Sequence, residues 1–274
     1  MNYLEQKINQ LNWLRAIGID CYYSNNNINY KGSIIKQDKK NKTNESNNLI
    51  ETVQEIKFTP PMGKQKLVPD DNVTLARQLA DSADSLDSLK KNVLNFEGCA
   101  LKNLSSNTVF SDGNPEAEIM LIGEAPGANE DATGIPFCGE SGKLLDKMLS
   151  CVGISRKNNA YITNTVFWRP PANRLPTQEE IDVCRPFVEK HIYLINPKLI
   201  VLVGSTAATS LLGKHAGINK IRQEYYLYSN KYLNQPIPIT AIFHPAYLLR
   251  QPLQKKTTWY DLLKIQQFIR DYLK

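Results

Sequence analysis

The feature that most limits how this chain can fold is a set of four short apolar runs, each of which contains or runs into a glycine or an unusual polar residue. They lie at Glu118–Ile122 (EIMLI), Ala160–Val166 (AYITNTV), Lys198–Val203 (KLIVLV) and Ile237–Phe243 (IPITAIF). Runs that are apolar on both faces fit strands buried in a parallel sheet, and parallel strands need crossover connections between them. Helical stretches lie where those connections should be. Ser141–Cys151 carries Leu144, Leu145, Met148 and Leu149, and Thr177–Ile195 opens with a capping signal, Thr177 three residues before Glu180. Ser205–Leu212 follows the third run, and Thr257–Leu273 closes the chain. The economical solution is an α/β fold, three layers in the order α/β/α around a central four-stranded parallel sheet.

Upstream of that pattern the composition changes twice. Residues 1–23 carry Leu4, Ile8, Leu11, Leu14 and Ile17 at helical spacing, which predicts a short amphipathic helix. Residues 24–66 are dominated by Asn, Lys, Ser and Thr, have too little apolar surface to offset their ordering entropy, and read as a flexible linker. Residues 67–95 predict a helix from Asn72 to Val93, with Leu75, Leu79, Leu86 and Leu89 on its apolar face, leading into a core domain over 96–274. The expected architecture is therefore the α/β core with a helical N-terminal extension.

Charge and cysteine usage narrow the setting. The chain has 33 Lys and Arg against 27 Asp and Glu, a net charge of +6 that suits a polyanionic partner without requiring one. No run of 18 apolar residues is present, so no membrane association is expected. The first 20 residues lack the basic-then-apolar order of a secretory signal, and five cysteines are irregularly spaced. A reduced cytoplasmic setting and a monomer are the expectations.

In open α/β sheets, ligands bind beyond the carboxyl ends of the strands. The first run is followed there by GEAPGANEDATGIPFCGESG, Gly123 to Gly142, too rich in glycine and proline for a helix. It has neither the GxGxxG spacing of a dinucleotide site nor the GK[ST] of a phosphate loop. Asn164 stands in the second run, Gly204-Ser205-Thr206 follow the third, and His244 opens HPAYLLRQP after the fourth. These polar residues all converge on one edge of the sheet.

The same segments carry a resemblance. GEAPGxxED followed by GxPFxGxxGxLLD, matched from Gly123 to Asp146, is similar to the first signature of type-4 uracil-DNA glycosylases. ITNTVFWRPPANRLPTQEEIDVCRP and HPAYLLR resemble two further blocks of that family, and the likeness runs from about Phe96 to the C-terminus. The resemblance implies hydrolysis of the N-glycosidic bond of uracil in DNA, releasing free uracil and leaving an abasic site. The alternative is a non-catalytic module of the same fold that binds uracil-containing or abasic DNA.

Carried over residue by residue, the resemblance implies that Phe137 stacks beneath a flipped uracil, that Asn164 reads its O4 and N3 edge, and that Gly123, Glu124 and Ala125 line the pocket. His244 is implied as donor to O2, where negative charge develops as the bond breaks. Glu124 is the first choice to position or activate water and Glu130 the second. Ala125 stands where the best-known uracil glycosylases carry an Asp. For DNA, Leu248 is a candidate wedge and Arg250 a contact, while Ser205 and Thr206 head a helix able to bind phosphate. Arg169, Arg174 and Lys220 fit either backbone contacts or solvated charge.

The family pattern also implies four cysteines around a 4Fe-4S cluster. Here Cys99 and Cys184 match two of those positions, while Phe96 and Trp168 stand at the other two. Two thiolates do not hold such a cluster. The expectation is no metal and no cofactor, with the two aromatic side chains filling the vacated volume.

Overall fold

The structure, a computed structural model, describes residues 57–58, 71–213 and 217–273. The helix expected over 1–23 and all of the expected linker except Lys57–Phe58 lie outside the described residues.

The four apolar runs become β3 (Ile119–Gly123), β4 (Ala160–Asn164), β5 (Leu199–Val203) and β7 (Ile237–Ile242). They pair in parallel in the order β7-β5-β3-β4. Three shorter strands extend this sheet to seven: β1 (Lys57–Phe58), β2 (Asp112–Gly113) and β6 (Tyr226–Tyr228). β2 runs antiparallel beside β4, β6 antiparallel beside β7, and β1 parallel beside β6. The expectation of four strands thus describes the parallel centre and misses the edges, whose two- or three-residue strands are too short to carry a periodic signal.

Successive side chains of a strand point to opposite faces. Met120 and Ile122 of β3, with Ile200 and Leu202 of β5, face one hydrophobic cluster. Ile119 and Leu121, with Leu199, Val201 and Val203, face the other. The first face is covered by α1 (Asp71–Ser82), α2 (Leu86–Asn95), α5 (Gln178–Ile195) and α6 (Ser205–Leu212), which supply Ala76, Leu89, Phe187 and Ala207. The second is covered by α4 (Glu140–Ser150) and α9 (Gln254–Tyr272), through Leu145, Met148, Leu262 and Ile265. Shorter helices α3 (Ala128–Thr133), α7 (Ile218–Ile221) and α8 (Pro245–Arg250) sit in the connections.

The single helix expected over Asn72–Val93 is two. Ser85 caps α2, accepting the N–H of Ser88 at 3.3 Å, while the Ser88 hydroxyl accepts the N–H of Ser85 at 3.0 Å. Serine and aspartate at 82–85 offer the backbone local partners that compete with helix continuation. The cap expected at α5 forms, with the Glu180 carboxylate accepting the Thr177 N–H at 2.7 Å and the Thr177 hydroxyl accepting that of Glu180.

α5 also buries His191, whose ring stacks on Phe110 at 4.4 Å and whose Nε2 meets the Tyr161 hydroxyl at 2.8 Å. Burial pushes its pKa down to about 3. A base whose folded pKa lies below its unfolded value binds fewer protons when folded, so its stabilising contribution is complete above about pH 6.5 and is lost as pH falls toward 3. The melting temperature is therefore expected to fall between pH 6.5 and 4, with a shallower fall in His191→Gln. Equal slopes for the two proteins, followed by circular dichroism, would count against this.

Candidate active site

The carboxyl ends of the four parallel strands open into one cavity of about 680 Å³. Its walls include Glu124, Phe137, Asn164, Ser205, His244 and Arg250, drawn from every one of those strand ends. The volume lies within the range of about 300–1,000 Å³ usual for small-molecule sites. The pyrimidine-sized part is set by the register of the sheet, which places Gly123 directly opposite Asn164. A Cβ on Gly123 would lie 2.4 Å from Asn164 Oδ1 and 2.5 Å from Phe137 Cζ. Only glycine lets the amide and the ring close on the same space.

Phe137 is held in an unusual backbone state, φ 51°. A bulky residue in the left-handed region costs on the order of 1–3 kcal/mol and persists only where its surroundings enforce it. The enforcement is visible. Gly142 passes so close that a Cβ there would fall 1.8 Å from the Phe137 carbonyl oxygen. The Glu130 carboxylate accepts the N–H groups of Gly127, Cys138 and Gly139 at 3.1, 3.0 and 2.9 Å, fastening the loop around the ring. Arg156 donates to the carbonyls of Pro136 and Phe137 at 3.0 and 2.9 Å. The Phe137 ring lies 5.8 Å from that of His244, tilted by 34°.

Three polar side chains face this space with distinct electrostatics. Asn164 is buried, and its Oδ1 has no hydrogen-bond partner among the described residues. A buried carbonyl oxygen without a partner costs free energy until a donor reaches it, which makes it a ready acceptor for a ligand N–H. His244 caps α8, its Nδ1 accepting the Ala246 N–H at 3.1 Å. The neutral ring must therefore carry its proton on Nε2. Burial first, and then the charge of Arg250, lowers its pKa to about 4, against an opposing pull from Glu130, so the imidazole is neutral at physiological pH. Burial raises the pKa of Glu124, partly offset by a hydrogen bond from Thr206.

The remaining expected site residues are distributed unevenly. Ala125 and Gly127 line the cavity, and Ser205 is exposed on its wall. Thr206 turns to Glu124. Arg250 is exposed at the rim. Arg169 lies just outside, its Nε donating to Asn173 Oδ1 at 2.8 Å. Arg174 lines the cavity but is engaged with Glu180 at 2.6 Å. Leu248 needs correction as a wedge: it is fully buried in the core under α8, while its neighbour Leu249 is 46% exposed. A one-residue step on a helix turns the side chain by about 100°, enough to exchange core for solvent. Sequence reasoning also missed Arg156 and Asp146, which secure the Phe137 turn from outside the cavity.

Cys99 and Cys184 are buried free thiols in hydrogen-bond contact. Around them Phe96, Phe167, Trp168 and Phe187 are all buried. The Phe96 ring lies 6.5 Å from Trp168 and 5.1 Å from Phe187. Among the described residues no group of three or more His, Cys, Asp and Glu is placed to hold a metal ion. A two-thiol, aromatic-filled site does not fit a cluster that takes four cysteines.

The uracil DNA glycosylase superfamily matches residues 110–264 of this chain. A type-4 uracil-DNA glycosylase of Sulfurisphaera tokodaii is 37% identical over 188 residues, covering 67% of this chain and 84% of that protein. One from Archaeoglobus fulgidus is 34% identical over 186 residues, 66% of this chain and 92% of that protein. A third, from Saccharolobus solfataricus, is 37% identical over 189 residues, 67% of this chain and 86% of that protein.

Proposed function

The chain belongs to the uracil-DNA glycosylase superfamily, within it to the type-4 enzymes, and we propose that the cavity at its strand ends is where uracil is excised from DNA. It is a DNA-repair hydrolase that cleaves the N-glycosidic bond of uracil in DNA, releasing the base and leaving an abasic site. Nothing in the site favours a non-catalytic module. The observation that carries the site assignment is the unpartnered Oδ1 of Asn164, buried beside Phe137 and His244 in one cavity.

A flipped uracil stacks on Phe137. Asn164 Oδ1 accepts its N3–H and the amide N–H₂ donates to O4, a pattern that cytosine reverses at both positions. A site built to pair a polar edge rejects a base that leaves its buried groups unmatched. As the glycosidic bond lengthens, its electron pair flows into the ring and negative charge accumulates on O2, where the Nε2–H of neutral His244 donates a hydrogen bond and keeps its proton. Glu124, with its carboxylate near the sugar, stabilises the positive character of C1′ and orients the attacking water. Glu130 is the weaker choice for that task, because three backbone N–H groups already occupy its oxygens; it holds the loop. Arg250 and Ser205 are placed to meet the DNA backbone, and Leu249, exposed beside Arg250 on α8, takes the place of Leu248 as the candidate wedge.

Residues 96–274 act as the catalytic unit, and the protein works as a monomer in the cytoplasm. This is supported by a site that needs no residue from a second chain to be closed and by free thiols at all four cysteines among the described residues. Phe96 and Trp168 serve as an apolar plug where relatives' cluster ligands stand.

A uracil-containing oligonucleotide, cleaved with alkali after incubation, tests the assignment. The rate is expected to fall on acidification as Glu124 takes up a proton, at a pH above the ordinary carboxylate value, since burial raises its pKa. Glu124→Gln should lose most of the rate and all of this acid limb. A mutant that keeps both would remove Glu124 from the chemistry.

A further inference from the structure

The segment Gly139–Asp146 ends in a carboxylate that the cavity does not use. Asp146, on α4, instead accepts from Arg156 Nε and Nη2 at 3.0 and 2.9 Å through one oxygen. Arg156 also donates from Nη1 to Asp112 of β2 at 2.8 Å and to the Pro136 carbonyl at 3.0 Å, and from Nη2 to the Phe137 carbonyl at 2.9 Å. A guanidinium has five N–H donors in a fixed planar fork, and all five are engaged here. Two go to carbonyls of the strained turn, and three to carboxylates fixed on an edge strand and a helix. The side chain is largely buried, 16% exposed, so these bonds are only lightly screened. Together they convert a turn that would relax toward φ < 0 into one that presents the ring to the cavity.

We propose that Arg156, anchored by Asp112 and Asp146, is a positioning residue that sets the Phe137 ring against the uracil. The assignment rests on the reading of Phe137 as the stacking ring. Arg156 does not line the cavity, so on this proposal its effect on excision passes through the turn that carries Phe137. This separates it from a residue that merely stabilises the fold.

The test is a double-mutant cycle on the full-length protein, measuring single-turnover uracil release from a uracil oligonucleotide. Arg156→Ala is expected to slow release about tenfold to a hundredfold, the scale of a displacement of about 1 Å in a bound reactant. Phe137→Ala should be slower than wild type as well, and the double variant should match Phe137→Ala within about twofold. Multiplying losses in the double variant would overturn the assignment. Should circular dichroism find Arg156→Ala unfolded, Arg156→Lys replaces it in the cycle. A lysine ammonium keeps the charge but cannot span two carbonyls and two carboxylates, so the same lack of additivity is expected, and additive losses again reject the proposal. An inactive wild-type protein would instead defeat the glycosylase reading and the Arg156 assignment with it.

Discussion

His244→Ala is expected to lower the rate of uracil release by about 10²–10³-fold, equivalent to roughly 2.7–4 kcal/mol of transition-state stabilisation, the usual loss on removing one donor aimed at a developing oxyanion. The effect should fall on the chemical step rather than on binding. Uracil O2 is a neutral carbonyl in the ground state and carries substantial negative charge only as the glycosidic bond breaks, so the Nε2–H bond strengthens toward the transition state. Affinity for uracil-containing DNA should accordingly stay close to wild type while single-turnover rates collapse. The tautomer supports this direction, since Nδ1 is committed to the Ala246 N–H and the ring's one proton is left on Nε2. The depressed pKa, about 4, supports it further: a neutral imidazole is available across the whole neutral range, so the rate should not change near pH 6.5 as an ordinary histidine would require. Asn164→Ala differs in kind. Its amide pairs with the base before and during cleavage, so part of that loss should appear in affinity. Equal losses in binding and rate for His244→Ala, measured by fluorescence anisotropy and rapid quench, would withdraw the donor role.

The parallel centre of the sheet was legible because burial on both faces leaves a sequence mark, as in Ile119–Ile122 and Leu199–Val203, and the strand-end rule then pointed to one edge. Glu124, Asn164 and His244 could be brought together from sequence because each sits at a strand end, whereas Phe137, beyond α3 in the connection after β3, was marked only by the family signature. Elements without such a mark stayed hidden. Asp112–Gly113 is two residues long, and the break at Ser85 depends on side-chain hydrogen bonds that compete locally with a plausible helical pattern. Leu248 and Leu249 are equivalent in composition and separated only by helix phase. Arg156 was the least legible of all. Its partners lie 10, 19, 20 and 44 residues away, and an arginine in a turn carries no sign of where its fork will point.

Trp168→Ala should produce the largest loss of stability, about 3–5 kcal/mol, because removal of a buried aromatic forfeits its transfer free energy and leaves a cavity that its neighbours fill only partly. At roughly 2–4 °C per kcal/mol for a domain of this size, the melting temperature should drop by about 10 °C. Trp168 has 1% of its surface exposed, contacts Phe96 and Phe167, and donates Nε1–H to the half-buried Thr108 hydroxyl at 2.9 Å, a bond that truncation also removes. Phe96→Ala should fall in the same range, and the two losses should not add, since the rings adjoin and share one cavity. If these aromatic side chains do the work of the cluster that the four-cysteine family pattern implies, the wild-type protein purified without oxygen should carry no stoichiometric iron or sulfide, and chelators should leave its melting temperature unchanged. Stoichiometric iron, or a Trp168→Ala variant as stable as wild type, would mean that the chamber is held together by something other than its rings. The contact of Cys99 with Cys184 makes the outcome sharp: two thiols stand where a cluster takes four, and iron-free protein would leave packing to account for the stability of this corner of the fold.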